Sequence, residues 1–335
     1  MRFSVVIPCH NSGPWIGDTL RSAAEQIHPP HEIVVIDDAS VDDTVEQVRA
    51  TKIDVKLLSV EVRSAAAARD VAIKASNGDW IALLDSQDIW YPDHLAHAAQ
   101  LLSNSEDLAY NVNVDPLDGE TIYRKTLPAG KLETETRSGI RAREFFDLWC
   151  EGRLAFHNQT AIYRRDRLVE IGGHDSTLRN RHDIDLWLRA IEGHTCTHEP
   201  RSYAAWRIDV PHGLSRKKAN VAYFTMKMLL KHRERYAGSA MKDHIRRAAP
   251  AAITTAFVTG ERQRQRDALE IALPYLTGRA KTSLRLLSRC PPLLTALARQ
   301  RARRKARHDH IDRSRPTPIK QIWNRRSEQH AEAIN

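Results

Sequence analysis

The sequence predicts an α/β fold: a mostly parallel central sheet with helices on both faces, followed by a helical C-terminal extension. Over residues 1–115, short apolar runs of strand length alternate with segments of helical periodicity. Repeated β-α units of this kind are typical of parallel sheets covered by helices on both faces. Several of the apolar runs end in Asp, Ser or Asn, and open α/β sheets bind ligands at the carboxyl ends of their strands. Beyond residue 221 the pattern is almost entirely helical.

The first half contains five predicted strands with helices between them. The strands are Phe3–Ile7, Glu32–Ile36, Val55–Val60, Trp80–Leu84 and Leu108–Val114. Asn11 or Ser12 can cap the first helix, and residues 40–43 place oxygens at the start of the second. The third helix is rich in alanine and is expected to stop at Asn77-Gly78.

The regular alternation of predicted strands and helices ends after Asp115. In the second half the predicted elements are an edge strand at Thr121–Thr126, a loop over 127–138, a helix at Glu144–Trp149, a strand at Gln159–Tyr163, helices over 164–171 and around Asp183, and a strand at Tyr203–Ile208. The helical patterns that follow cover 221–237, about 241–273 with a break near Pro250, 278–289, 292–308 and 319–332.

Composition restricts the class of protein. The hydrophobic content of 41% is compatible with a globular core. The sequence has no apolar run of eighteen residues, so we expect no membrane span, and it starts without the pattern of a signal peptide. Its four cysteines are scattered, which argues against a zinc site and a disulfide framework and favours a reducing cytoplasm.

The net charge of +9 is concentrated after residue 215. Basic clusters can bind nucleic acid, anionic lipid or an acidic polymer, or can form a solvated helix face. The basic and aromatic residues are not interleaved on a recognisable nucleic-acid-binding module, so we do not expect nucleic acid. Leucines form an apolar surface beside arginines over 284–301, which suits a basic amphipathic helix on an anionic membrane. It suits equally well packing against the rest of the chain or against a second copy in a homo-oligomer.

The stretch Trp80–Leu95 reads WIALLDSQDIWYPDHL. Asp85 and Asp88 follow a buried-looking strand at the point where it meets a loop, and Pro92 then opens the next helix. The residues alone leave two interpretations: these carboxylates hold a metal and a phosphate, or they cap the helix.

Six motifs in order resemble glycosyltransferase family 2, inverting enzymes of the GT-A fold. They are VVIPCHN (5–11), EIVVIDDASVDDT (32–44), LLDSQDIWYPDHL (83–95), YRRDRLVEIGGHD (163–175), RHDIDLWLRA (181–190) and WRIDVPHGLSR (206–216). The resemblance implies a GT-A domain over about 1–220, with a nucleotide-sugar half at 1–115 and an acceptor half at 116–220. Residues 221–335 then form a basic helical C-terminal region.

The resemblance implies that a nucleotide-sugar donor binds at the first strand ends. Pro8, His10 and Asn11 lie at the expected base pocket, where His10 would stack on the base; the alternative is a surface loop histidine. Asp38 resembles the family aspartate that accepts a hydrogen bond from the base, although it can instead start the next turn. Arg69 matches an arginine near the diphosphate or ribose, with a solvated helical arginine as the alternative.

The segment around Arg69 departs from the family pattern. Val62 and Ser64 replace the usual asparagine and glycine, and Asp70 replaces the asparagine that normally follows the arginine.

The family binds Mg²⁺ or Mn²⁺ through an Asp-x-Asp motif, and the cation bridges the donor diphosphate. Here Gln87 replaces the second aspartate, while Asp85 and Asp88 remain. An amide oxygen is a weaker ligand than a carboxylate for such a cation. Three interpretations stay open. Asp88 takes over as ligand, with Asp85 on the ribose or metal. The site binds metal weakly and relies on basic side chains. Or the protein is a non-catalytic relative.

On the acceptor side, Asp183 matches the family's catalytic base, and His182 replaces the usual Glu before it. A helix N-terminus favours the negatively charged form of such a carboxylate. The alternative is that Asp183 or Asp185 only caps the helix. Trp187 suits the core better than an acceptor platform.

Two further acceptor-half segments resemble family motifs. His174 stands where the family often has Phe. Arg207 and Arg216, with His212 and Ser215, resemble a segment that closes over the diphosphate, so Arg216 is a candidate donor-binding residue; Arg207 can equally pair with Asp209.

The expected function is inverting transfer of a sugar from a nucleotide-sugar, with a UDP-sugar favoured, to a hydroxyl of a glycan or lipid-linked acceptor. Such a reaction fits cell-surface polysaccharide synthesis by a cytoplasmic protein, either free or peripheral on the inner face of the membrane. The alternative is a non-catalytic nucleotide-sugar-binding or scaffold protein. The replacement of a metal-binding aspartate by Gln87 is the observation that favours this alternative.

Overall fold

The computed structural model describes residues 1–125, 133–210, 218–259, 267–270, 273–276, 278, 282 and 311–334. Within these ranges eleven strands join one sheet. The strands are β1 (Phe3–Cys9), β2 (Glu32–Asp38), β3 (Lys56–Val60), β4 (Trp80–Leu83), β5 (Ile89–Trp90), β6 (Ala109–Asp118), β7 (Thr121–Lys125), β8 (Arg137–Arg141), β9 (Ile162–Arg164), β10 (Thr195–Arg207) and β11 (Ile311–Pro318).

The helices lie on both faces of this sheet. They are α1 (Gly13–Ala24), α2 (Thr44–Ala50), α3 (Ala65–Ala75), α4 (His94–Ser103), α5 (Ala142–Glu151), α6 (Arg165–Glu170), α7 (His182–Ala190), α8 (Lys218–Lys231), α9 (Arg233–Tyr236), α10 (Ser239–Thr259) and α11 (Ile319–Ile334). Short 3₁₀ turns lie at Asn158–Thr160 and Leu273–Tyr275.

The strands β3, β2, β1 and β4 are neighbours and run parallel. Alternate residues of a strand point to opposite faces. Accordingly, Val6 packs into one core with α3 and α5, whereas Val5 and Ile7 pack into another with α1 and α4. Both faces are therefore buried, which explains why these strands read as continuous apolar runs.

The chain after β4 adds antiparallel strands to the parallel core. Strand β9 lies between β4 and β6 and is antiparallel to both. Strand β10 is parallel to β6 and antiparallel to β5 and β8. The predicted loop over 127–138 is wrong at its end, because residues 137 and 138 are the first two of strand β8. The predicted strand 159–163 begins instead as a 3₁₀ turn, and regular pairing starts at Ile162.

The helices after residue 217 share a core with the rest of the chain. Ile245, Ala249 and Ile253 of α10 belong to the same buried cluster as Phe146 of α5 and Trp187 of α7. The predicted break near Pro250 is wrong, because α10 continues through it. Packing of its apolar face against α5 and α8 outweighs the lost backbone hydrogen bond.

The C-terminal region is not helical throughout. Residues Ile311–Pro318 form β11, which pairs antiparallel with β7. The predicted amphipathic segment 284–301 lies outside the described residues. No helix among the described residues is long and apolar enough to cross a membrane.

Candidate active site

The carboxyl ends of β2, β1 and β4 lie side by side at one edge of the sheet. These strands are parallel neighbours, and Cys9 of β1 pairs with Asp37 of β2. The sheet therefore brings together the polar residues that follow each strand, which the sequence places at 10–11, 37–38 and 85–88.

Hydrogen bonds tie the loop after β1 to the loop after β2. Pro8 is buried within β1. The exposed His10 donates from Nδ1 to the carbonyl of Asp38, at 2.7 Å. Asn11, at φ 52°, accepts from the backbone N–H of Val41 at 2.9 Å. These contacts hold the candidate base pocket in shape; stacking of His10 on a base stays a prediction.

The Asp38 carboxylate is already occupied by backbone donors. Its Oδ1 accepts from the N–H groups of Val62 and Arg63 at 2.7 and 2.8 Å, and its Oδ2 accepts from that of Ser64 at 2.7 Å. Asp38 thus fixes the loop that leads into α3. The sequence reasoning missed this role, and contact of Asp38 with a base remains a prediction.

Arg69 is not a solvated helical arginine. Its side chain is 7% exposed and donates from Nη2 to Asp85 Oδ1 at 2.5 Å. Asp85 is more accessible, at 25%. The pair joins α3 to the carboxylate loop (residues 85–88) and directs a buried positive charge towards the strand ends.

Arg207 holds the carboxylate loop from the opposite side. Its backbone N–H donates to Asp88 Oδ1 at 3.0 Å, and its guanidinium donates to the carbonyls of Gln87 and Gly119, each at 3.1 Å. Asp209, the partner suggested by the sequence, accepts from the N–H of Gly119 instead. Arg207 therefore fixes the loop, which sequence spacing could not reveal.

The carboxylate loop fits a divalent cation. Asp88 is 1% exposed, and its Oδ2 has no hydrogen-bond partner among the described residues. Burial and the charge of Asp85 both raise the pKa of Asp88. A bound cation would relieve both effects. Within the described ranges no three His, Cys, Asp or Glu side chains could ligate a metal by themselves, so donor phosphates would have to complete its coordination.

Asp183 lies in the first turn of α7, half-buried, and its Oδ1 accepts from the N–H of Ile184 at 2.9 Å. The adjacent His182 is half-buried, and its Nδ1 has no hydrogen-bond partner among the described residues. Burial lowers the pKa of His182 to about 4; the Asp183 charge opposes this shift, while Arg69 reinforces it. His182 is thus neutral near pH 7.

Three departures from the family pattern are in contact with one another. Asp70 accepts from His174 at both the backbone N–H and Nδ1, the latter at 2.6 Å. The ring of His174 packs edge-on against that of His182, with centroids 5.3 Å apart. Gly173 lies between α6 and Asp70 with φ 74°, and a Cβ there would lie 2.6 Å from the Asp70 carboxylate. The contact between Asp70 and His174, which are 104 positions apart, thus extends to the residue that precedes the candidate base.

Asp185 is not a helix cap. Its carboxylate is fully buried and binds Lys231 and His232 of the α8 region at 2.7 and 2.9 Å, and Arg189 at 2.9 Å. Hydrogen bonds from His232 and Lys231 outweigh burial and hold the pKa of Asp185 well below its usual range. This network joins α7, and hence Asp183, to the C-terminal helices.

Trp187 belongs to the core, as expected. It is fully buried against Phe145, Phe156 and Tyr163, with ring centroids 5.0 to 5.4 Å away. Of the segment expected to close over the diphosphate, Arg216, His212 and Ser215 lie outside the described residues.

A family profile decides the identity of the domain. The profile described as glycosyl transferase family 2 matches residues 4–172, which is half of the chain. The chain belongs to glycosyltransferase family 2. The sequence-based assignment is confirmed, and the matched range contains the carboxylate loop and both Arg69 and Asp85.

Curated relatives carry the same family 2 domain. The poly(ribitol-phosphate) beta-N-acetylglucosaminyltransferase TarS of Staphylococcus aureus is 29% identical over 38% of this chain and 24% of its own length. The glycosyltransferase YwdF of Bacillus subtilis is 26% identical over 60% of this chain and 72% of its own length. The chain therefore matches about a quarter of the length of some of these relatives.

Solved structures confirm the GT-A fold. TarS 1–349 in complex with UDP-GlcNAc superposes with a TM-score of 0.61 at 18% identity, covering 89% of each chain. The mannosyltransferase PcManGT from Pyrobaculum calidifontis, in complex with GDP-Man and Mn²⁺, gives a TM-score of 0.54 at 19% identity, over 89% of this chain and 84% of its own.

Proposed function

We propose that this family 2 domain is an inverting glycosyltransferase that moves a sugar from a nucleotide-sugar donor to a hydroxyl of a glycan or lipid-linked acceptor. The observation that carries the proposal is a chain of contacts from the carboxylate loop to the start of α7. Arg69 binds Asp85 of the loop, and its neighbour Asp70 binds His174. The ring of His174 packs against that of His182, which precedes Asp183. A carboxylate that can accept a proton is thus linked through these contacts to a loop that can bind a diphosphate through a cation.

Asp183 is the proposed general base. Its carboxylate takes the proton of the acceptor hydroxyl while that oxygen bonds to the anomeric carbon and the bond from this carbon to the diphosphate oxygen breaks. Attack on the face opposite the leaving group inverts the configuration. Negative charge then builds on the nucleoside diphosphate, and the buried Arg69 is placed to stabilise it.

Asp85 and Asp88 would hold a divalent cation, which when bound supplies positive charge to the leaving diphosphate. Asp88 contributes the oxygen that has no partner among the described residues, and Gln87 is a weaker ligand than the aspartate it replaces. The Mn²⁺ in the PcManGT structure supports a metal in this fold. We assign Mg²⁺ or Mn²⁺.

The donor and acceptor classes follow from the relatives. TarS structures contain UDP-GlcNAc or UDP, which favours a UDP-sugar. TarS acts on poly(ribitol-phosphate), and another relative, TuaG, is assigned to teichuronic acid biosynthesis. These names favour a surface polysaccharide or its lipid-linked precursor as acceptor. We propose separately that the basic charge of the C-terminal region attaches the protein to the inner face of the membrane.

A donor screen tests the proposal. The wild-type protein is incubated with UDP-GlcNAc, UDP-glucose and GDP-mannose, with Mn²⁺ or EDTA, and released nucleotide is measured. We expect slow hydrolysis of at least one UDP-sugar with Mn²⁺, because water can replace the acceptor. Binding of UDP without turnover of any donor would favour the non-catalytic alternative, and absence of nucleotide binding would refute the proposal.

Gln87→Asp is expected to strengthen metal binding, because a carboxylate replaces a neutral amide at the loop. Changes around a metal site commonly alter affinity by about 10–100-fold, so we expect half-saturation of UDP binding at an Mn²⁺ concentration about tenfold lower. Calorimetric titration with UDP measures this shift. Gln87→Asn keeps the amide and serves as the control. Unchanged metal dependence in Gln87→Asp would show that Gln87 does not weaken metal binding.

A further inference from the structure

The last described segment, residues 311–334, returns to the catalytic domain. Strand β11 adds to the edge of the sheet beside β7, and α11 follows it without a gap. The backbone N–H of Ile319 donates to the carbonyl of Glu120 at 2.9 Å. The segment is therefore anchored in the fold by backbone pairing before its helix begins.

The apolar face of α11 covers the strands that carry the candidate metal site. Its three packing residues contact a small buried cluster from β5, β6, β7 and β10. The helix contributes Ile319, Ile322 and Trp323, and the cluster consists of Ile89, Tyr91, Leu117, Ile122 and Ala205. Ile89 follows Asp88 directly in the chain, so this contact lies immediately behind the carboxylate loop.

Arg326 is the polar anchor of α11. Its guanidinium carbon lies 4.4 Å from the ring centre of Tyr91 and 4.8 Å from that of Tyr203. Its nitrogens donate to both oxygens of Asp93, at 3.0 and 3.1 Å, and to the carbonyl of Ser202 at 2.6 Å. A cation held by two rings, a carboxylate and a carbonyl makes a specific attachment.

Tyr91 and Tyr203 lie at one end of the ladder formed by β5 and β10. The N–H of Tyr91 donates to the carbonyl of Tyr203 at 2.9 Å. At the other end of this ladder, the N–H of Arg207 donates to Asp88. Tyr91 lies three positions after Asp88, which is about 10 Å of extended chain. Arg326 therefore clamps the same pair of strands that holds the carboxylate loop.

We propose that Arg326 is a positioning residue for the carboxylate loop, which it holds in place by clamping β5 to β10, so that the loop binds a divalent cation and the donor diphosphate. The inference rests on the proposed function, since it takes this loop as the metal and donor site. It assigns to the C-terminal segment a part in donor binding that its sequence does not reveal.

The test compares Arg326→Gln with Arg325→Gln. Arg325 is the exposed neighbour on the same helix, so its substitution removes the same charge without breaking the clamp. UDP binding to the full chain is measured by calorimetry, once with Mn²⁺ and once with EDTA. We expect Arg326→Gln to weaken Mn²⁺-dependent binding about tenfold, in the range seen when groups behind metal ligands are changed. The control binds like the wild type, and binding in EDTA stays within about twofold.

Two further measurements sharpen the outcome. Arg326→Lys keeps the charge over the rings and should recover part of the affinity. Amide hydrogen exchange over residues 85–90 should be about fivefold faster in Arg326→Gln than in Arg325→Gln without any ligand, because local opening becomes easier. Wild-type affinity in Arg326→Gln, or an equal loss with Mn²⁺ and EDTA, would overturn the inference. If the wild type binds no UDP, the proposed function fails, and the exchange rates alone decide whether Arg326 orders the loop.

Discussion

Asp183→Asn is expected to lower kcat by about 10²–10⁴-fold, the usual contribution of a general base. The amide cannot take the proton of the acceptor hydroxyl. Its oxygen can still accept from the N–H of Ile184, as the carboxylate does, so the start of α7 is kept. UDP affinity should therefore stay within about twofold of the wild type, because only the proton-transfer step is lost.

The measurement is donor turnover and UDP calorimetry on the same preparations. Glu170→Gln is the control, since Glu170 is 68% exposed on α6 and pairs with Arg167. It removes one carboxylate charge from the acceptor half without touching the site. Near-wild-type turnover in Asp183→Asn would remove Asp183 from the proposed mechanism.

Asp185→Asn, two positions further along α7, should instead damage stability. The side chain of Asp185 is fully buried and bound to Lys231, His232 and Arg189. Removing one member of a buried ionic network typically costs about 3–5 kcal/mol of unfolding free energy. Glu192→Gln is the matched control, because Glu192 pairs with Arg235 at the exposed surface between the same regions and should cost about 0–1 kcal/mol.

The stability difference should depend on pH. The folded-state pKa of Asp185 is depressed. The charged form of this carboxyl is therefore more favourable in the folded protein than in the unfolded chain. This contribution is fully present above the unfolded pKa of about 3.9 and disappears as pH falls towards the folded value. Urea unfolding of both proteins between pH 3 and pH 7 measures it. A difference that stays constant down to pH 3 would contradict the role of ionised Asp185.

The sequence predicts the parallel core well for a physical reason. Strands buried on both faces must be continuously apolar, and segments such as Phe3–Ile7 show this directly. The order of the motifs also predicts the family. Strand β11 is different, because Ile311–Pro318 contains two prolines and three charged residues. It forms a strand because β7, nearly 190 positions earlier in the chain, offers a free edge.

Within the site, the sequence identifies residue types but not their partners. It indicates Asp85 and Arg69 as separate candidates, and the structure joins them. The contacts of Asp38 with 62–64 and of Arg207 with the carboxylate loop depend on chain paths that no local pattern encodes. Asp70, His174 and His182 did carry a signal, since all three depart from the family pattern, but only the fold shows that they meet.

The buried network around Asp185 has a consequence for how the chain folds. Two of the three side chains that bind Asp185, those of Lys231 and His232, lie beyond the boundary near residue 220 that the sequence suggests. A chain that stopped there would keep the pair between Asp185 and Arg189 but would lose these two partners. Residues 1–220 alone would therefore hold only part of this network, so single substitutions separate the roles of the C-terminal region from catalysis more cleanly than truncation does.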